Sequence, residues 1–266
     1  MNQASVSDQP PVSIVVPVLN EASRIEECLT RIVRDFAGCE LVVVDGGSTD
    51  GTVERAARLA RVVHCRPGRG PQLNAGAAAT SGEIIWFLHA DTRIDPGALG
   101  QIRGAVADPA VVGGGLSIRF DRASPALGYL AWSSNQRARR LGHIFGDQAM
   151  FVRRTVFDRL GGFPDIPLME DFDLSRRLRG RGRLVLLDAT STASARRFET
   201  HGTWRMIAFM QYLKLLFVAG ADPHRIAARY QAGPGLWLPA AGADRSNDRG
   251  FPSSPSSIAN LTRRPR

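Results

Sequence analysis

Strands alternate with helices through the first hundred residues, and this constrains the fold more than any other feature. "VSIVVPVLN" (12–20) and "ELVVVDGG" (40–47) are β-branched runs closed by turn residues, and "EIIWFLHA" (83–90) is a bulkier apolar run. Such near-continuous apolar runs mark strands buried on both faces. Between the first two, "EASRIEECLTRIVRDF" repeats apolar residues at Ile25, Leu29, Ile32, Val33 and Phe36 with helical period and stops near Gly38. Ser48, Thr49 and Asp50 can cap a helix over "TVERAARLA". "RVVHCRP" (61–67) reads as a short third strand, and "GPQLNAGAAATS" as a loop and helix. "PGALGQIRGAVA" opens with a first-turn proline. Alternation from residue 12 to about 108 predicts a parallel sheet with right-handed crossovers. In such sheets ligands gather outside the carboxyl ends of the strands. Asn20 and Glu21, Asp45, and His89 and Asp91 all fall at those ends.

The second half changes character. A strand is expected over 112–121, a helix over 129–142, and a short strand, helix and Gly-Gly stop within "GDQAMFVRRTVFDRLGGFPD". A helix led by acids follows at 170–182, then a strand at 183–189. The expected fold class is therefore α/β: a mixed, mainly parallel sheet flanked by helices, in a single domain over 12–230. Residues 1–11 read as a flexible N-terminus. From 231 to 266 proline, glycine, serine and arginine take over, predicting a disordered tail.

The net charge of +9 is spread out rather than gathered. The tail after Ala232 holds arginines 245, 249, 263, 264 and 266 against Asp244 and Asp248, and Lys214 is the single lysine. A phosphate-bearing ligand or an anionic membrane surface accounts for this at least as well as DNA, so no nucleic-acid partner is expected. Cys28, Cys39 and Cys65 are odd in number with no C-x-x-C pair, and the N-terminus has no signal-peptide pattern. Both point to reduced thiols and a cytoplasmic location. "WRMIAFMQYLKLLFVAG" (204–220) is too short, and too interrupted by Arg205, Gln211 and Lys214, to span a bilayer comfortably. Trp204, Met206, Ile207, Met210, Leu213 and Phe217 fall near one helical face, which suits a membrane-surface helix or a core-packing one. No G-x-G-x-x-G, Walker A or G-x-S-x-G pattern occurs, which weighs against dinucleotide oxidoreductases, kinases and hydrolases.

Four clusters carry candidate chemistry. His89 and Asp91 stand two residues apart, a spacing that sends both side chains to one face of an extended segment, where they could meet one ion. The same aspartate could simply cap the turn before Pro96. Asp45 can accept from a base or ribose hydroxyl, or merely form its Asp-Gly turn. Glu170, Asp171 and Asp173 crowd one helical turn, so that one pKa is raised toward a base useful near neutrality, or so that they favour the positive helix end. "RRFETHGTW" (196–204) can offer arginines to phosphate or be a solvated charge run. His64, His143 and His224 have no partner at metal spacing and read as structural.

"SIVVPVLNEASRIEECL", "ELVVVDGGSTDGT", "GRGPQLNAGAAATSGEIIWFLHADT" and "PLMEDFDLSRRLR" together resemble family 2 glycosyltransferases of the GT-A fold. More narrowly they resemble the bacterial transferase 2 group associated with radical-SAM and selenodomain proteins, whose members are often labelled diaponeurosporenoate glycosyltransferases. The resemblance implies a nucleotide half over about 12–110 and an acceptor half over about 111–230. It implies a nucleotide-sugar donor touched by Pro17, Val18, Asn20 and Glu21, by Asp45, by Arg69 in the glycine loop before Asn74, and by His89, Ala90 and Asp91. Asp91 matches the last position of the metal-binding D-x-D, for Mg²⁺ or Mn²⁺, with His89 standing where the first aspartate usually sits. His201 is the candidate for a histidine ligand from the C-terminal part of the domain. Glu170 and Asp171 match the acidic pair that supplies the catalytic base, Asp171 first. The resemblance further implies inverting, non-processive transfer to an acceptor hydroxyl or carboxylate on an unknown acceptor, with a lipid-linked or carotenoid one among the options, and peripheral contact with the cytoplasmic face of the cell membrane. A nucleotidyltransferase or a non-catalytic nucleotide-sugar binder stays open beside it. This picture asks Asp45, Asp91 and Asp171 to surround one cleft.

Overall fold

A computed structural model describes residues 9–236. The expected tail beyond 236 lies outside the described residues, as do positions 1–8. Four strands lie parallel in the order β3 (Arg61–His64), β2 (Glu40–Asp45), β1 (Val12–Val18) and β4 (Ile84–Phe87). The sheet continues through β7 (Phe151–Arg153), which runs against both neighbours, then β6 (Val111–Phe120), β8 (Arg183–Ala193) and the two-residue β5 (Arg93–Ile94). The chain moves outward from β1 to β3 and then returns across β1 to lay down β4. The crevice at that reversal is where open α/β sheets hold ligands.

Alternation along β1 sorts the layers, since successive residues face opposite sides of a sheet. Ile14 and Val16 pack with α1 (Ile25–Asp35) and α4 (Ala98–Val106). Val15 faces the other side with α3 (Arg69–Ala78), α6 (Arg154–Arg159) and α7 (Glu170–Arg179). Helix α3 lies so close that a Cβ on Gly76 would overlap the Val15 side chain and sit 2.9 Å from Val44 Cγ2. Only glycine permits that approach.

The expected sheet forms, with four differences of detail. The third strand stops at His64, before Cys65–Pro67. The run at 83–90 is extended only to Phe87, because the amide and hydroxyl of Thr92 both bond back to the His89 carbonyl and curl the chain. Helix α5 (Pro125–Leu141) starts earlier than its apolar period shows, at a Ser124 cap followed by proline. Strand β8 runs on to Ala193, pairs with β5, and is followed by α8 (Arg196–His201), α9 (Thr203–Val218) and α10 (Pro223–Ala232). No helix among the described residues is long and apolar enough to cross a membrane. Most of the apolar stripe of 204–220 is core: Met206, Ile207 and Leu213 are buried, and Trp204 is exposed. Those buried side chains pack toward α5 and α10, while Trp204 is left on the surface beside them.

Candidate active site

The loops leaving β1 and β2 are tied into one unit. Asn20, at φ +56°, accepts from the Thr49 amide at 3.0 Å through its side chain, and its own amide donates to Ser48 Oγ at 2.9 Å. Asparagine tolerates this left-handed backbone better than most residues. The Glu21 amide donates to Thr52 Oγ1 at 2.8 Å and the Ala22 amide to the Asp50 carboxylate at 3.0 Å. Asp45 ends β2 with its carboxylate turned into its own loop, accepting from the Gly47 amide at 2.9 Å and the Ser48 amide at 3.1 Å, with His64 Nδ1 3.5 Å away. Burial alone would raise its pKa, but hydrogen bonds from Ser48 and Gly47 outweigh that and hold it below the ordinary value. Gln72, from α3, bridges the strand ends by donating to the carbonyls of Val18 and Val44, each at 2.9 Å.

A cleft of about 590 Å³ opens over these ends. Pro17, Val18 and Glu21 form one wall, and His89, Ala90 and Asp91 the turn beside it. Burial raises the Glu21 pKa and the negative charge of Asp91 adds to this, while Arg24, 3.1 Å away, opposes both. Asp91 is exposed, with no hydrogen bond to any described residue. His89 turns inward toward Gly146, and desolvation followed by the charge of Arg69 drives its pKa down to about 3, so it is a neutral imidazole.

The opposite wall is built on α7. Asp171 Oδ2 accepts from the Gly146 amide at 2.6 Å and Oδ1 from the Phe172 amide at 2.7 Å. The first of these donors comes from the one-turn 3₁₀ segment Gly146–Gln148, so two distant stretches fix the carboxylate. Glu170 lies behind it at 1% exposure. Its Oε1 is 3.4 Å from Arg69 Nη1 and its Oε2 is buried with no hydrogen-bond partner. Desolvation, then the charge of Asp171, pushes the Glu170 pKa up to about 7. The sequence expectation that crowding raises one of these acids therefore has a physical basis in Glu170, with burial the larger cause.

Of the residues singled out in sequence, the cleft gathers Pro17, Val18, Glu21 and Arg69 with His89, Ala90, Asp91 and Asp171. It does not gather the rest. Asn20 and Asp45 organise loops beside it. Asn74 clamps Phe163, donating to its carbonyl and accepting from its amide, each at 2.9 Å. Glu170 supports Asp171 from behind. His201 is exposed at the end of α8, near Gly233, and is not among the residues that line the cleft. Among the described residues no group of three or more His, Cys, Asp or Glu side chains could hold a metal. The two-residue spacing of His89 and Asp91 does not act as on a strand, since the chain turns between them. Of the three acids asked to share a cleft, Asp91 and Asp171 line it and Asp45 does not. The cleft also holds Arg137, Phe145, Asp147 and Lys214, none of them predicted as site residues. A lone lysine inside an apolar helix is a signal that could have flagged Lys214; Arg137 and Asp147 carry none.

Comparison with known proteins agrees with this architecture. The profile of Glycosyl transferase family 2 matches residues 13–161, a span that stops short of Asp171. The chain is 42% identical over 92 residues to a glucosyl-3-phosphoglycerate synthase of Mycobacterium tuberculosis, covering 30% of this chain and 28% of that protein. It is 28% identical over 178 residues to glycosyltransferase AglE of Haloferax volcanii, covering 60% of this chain and 58% of that one. Among solved structures, the mannosyltransferase PcManGT of Pyrobaculum calidifontis in complex with GDP-Man and Mn²⁺ superposes with a TM-score of 0.62 at 24% identity, over 86% of this chain and 70% of that one. The chain thus spans less than two thirds of the length of these curated relatives. The fold is that of the GT-A neighbours, and the chain belongs to Glycosyl transferase family 2.

Proposed function

We propose that the cleft transfers a sugar from a nucleotide-sugar donor to an acceptor hydroxyl, with inversion and in single steps. One observation carries this reading: two carboxylates from unrelated parts of the chain, Asp91 after β4 and Asp171 at the start of α7, face the same cleft. Asp91 is the protein ligand for Mg²⁺ or Mn²⁺. Hard cations at phosphate sites take one or two carboxylates and fill the remaining positions with substrate oxygens and water, so a single free carboxylate fits. Such an ion, when bound, neutralises charge on the leaving diphosphate. Arg69 reaches the cleft from α3 and offers guanidinium contacts to the same phosphates. Asp171, aimed by the Gly146 and Phe172 amides, takes the proton of the attacking hydroxyl. His89 contributes shape and a neutral nitrogen rather than charge.

The acceptor side also supports a lipid-like acceptor, the narrower diaponeurosporenoate-type resemblance included, met at the cytoplasmic face of a membrane. Tyr129 lies 6.0 Å from Trp132 and 5.6 Å from Trp204, ring to ring, and all three are exposed on the two helices, α5 and α9, that wall that side. Exposed Trp and Tyr favour the boundary between water and lipid. Liposome flotation of the protein, with and without Trp132→Ser and Trp204→Ser, tests this contact.

The transfer reading is tested with a panel of UDP-, GDP- and dTDP-sugars and Mn²⁺, following nucleotide release. Asp91→Asn and Asp171→Asn should each abolish transfer, and only the first should strongly weaken donor binding. Calorimetry giving both variants the same donor affinity would refute the two roles.

A further inference from the structure

The end of the cleft beside Asp171 holds two cations that no acid neutralises at contact distance. The Arg137 guanidinium, from α5, lies 4.2 Å from the centroid of the Phe145 ring, and the Lys214 ammonium, from α9, lies 4.7 Å from it. Lys214 makes no hydrogen bond or ion pair with any described residue. Arg137 has only long bonds, to the His143 carbonyl at 3.3 Å and Gln148 Oε1 at 3.5 Å. Phe145 in turn stacks on Phe172, centroids 5.4 Å apart and planes 4° from parallel, which ties the cation pair to the residue following Asp171.

Burial lowers the pKa of Arg137, and burial together with Arg137 brings Lys214 down to about 8. The acids that act on both cations are Asp147 and Asp171, each beyond ion-pair distance. Asp147 is exposed, so water screens its charge from the cation pair. Phe145 directly precedes Gly146, whose amide donates to Asp171, and this places the cations at the base end of the cleft. Around them the lining is apolar, with Leu130, Phe198, Met206, Ile207 and Met210. Two half-buried like charges in such a wall are unfavourable until an anion joins them.

Resting on the transferase reading above, we propose that the acceptor carries an anionic group, a carboxylate or phosphate monoester, on an apolar body. Arg137 and Lys214 grip that anion while the apolar wall takes the body, and the nucleophilic hydroxyl is thereby presented to Asp171. Arginine suits such a group because its fork matches two oxygens at once.

Calorimetry with octyl phosphate and octanoate, in the presence of Mn²⁺ and UDP or GDP, tests this against neutral octyl glucoside and inorganic phosphate. Both anionic octyl probes should bind, and each control should bind at least about tenfold more weakly. Arg137→Gln and Lys214→Met should each weaken octyl phosphate by about 10- to 100-fold. Lys214→Arg should retain binding, which separates charge from folding. Nucleotide affinity should stay within about twofold in all three variants. Equal binding of octyl glucoside removes the anion from the proposal, and equal binding of inorganic phosphate removes the apolar body. Variants that lose nucleotide as strongly as probe would assign the cations to the donor diphosphate and overturn it. A wild-type protein that binds octyl phosphate but releases nucleotide from no sugar donor supports the anion pocket and removes the transferase reading instead.

Discussion

Replacing Glu170 by glutamine isolates the charge buried behind the proposed base. Glutamine keeps a carbonyl oxygen for Arg69 and fills the same space, so the change is chiefly in ionisation. The folded protein raises the Glu170 pKa from 4.5 to about 7, so it retains a proton that the unfolded chain has released. An acid shifted in this direction favours the folded state at low pH, and its contribution declines as pH climbs from 4.5 and levels off above about 7. Between pH 5.5 and 8.5, roughly 1.5 units of that shift fall inside the window, and at about 1.4 kcal/mol per unit the decline is about 2 kcal/mol. Urea unfolding followed by circular dichroism at both pH values, for wild type and E170Q, gives the difference, and titrating groups that do not interact with Glu170 cancel in the subtraction. The variant should lose about 2 kcal/mol less than wild type across the window and be the more stable of the two at pH 8.5. Parallel pH dependences, or a variant less stable at pH 8.5, would refute the view that burial and Asp171 keep Glu170 protonated.

Three further outcomes follow from close contacts. Gly146→Ala would place a Cβ 2.6 Å from His89 Nε2 and 3.3 Å from Asp171 Oδ2. Turnover should fall by about 100-fold as the carboxylate shifts, with little change in melting temperature. Gly76→Ala should cost about 1–3 kcal/mol in urea unfolding, because α3 must lift from Val15 and Val44. Asp45→Ala removes the acceptor for the amides of exposed Gly47 and half-buried Ser48 and should cost about 0.5–1.5 kcal/mol, with a matching loss of nucleotide affinity in calorimetry if the 46–50 loop borders the donor.

The first hundred residues were legible because each strand is a short apolar run with a turn signal after it, a local property. Loop chemistry was half legible. The Asp-Gly-Gly turn after β2 was readable as a turn, but composition cannot show that Asp45 faces inward to the Gly47 and Ser48 amides. The pairing of His89 with Asp91 failed for a local reason: the bonds from Thr92 to the His89 carbonyl end the extended geometry that the spacing argument needs. The position of His201 was not legible either, since the path of α8 after β8 decides where it lies. Trp204–Phe217 had an apolar stripe that fits two environments equally, and only the packing against α5 and α10 shows which of its residues are core. Arg137 and Asp147 enter the site through tertiary proximity alone, with no motif to announce them.

The reversal of β7 has a consequence for how such a site can diversify. Since this strand runs opposite to β4 and β6, the stretch that enters it, rather than the stretch that leaves it, opens on the edge where β1 and β4 finish. Residues 145–148 therefore bring both the amide that aims Asp171 and the ring that seats the two cations, on one short insert hung between a helix and three residues of ladder. Exchanging that insert would retune which molecules are accepted while the four parallel strands and their interlocked loops stayed as they are.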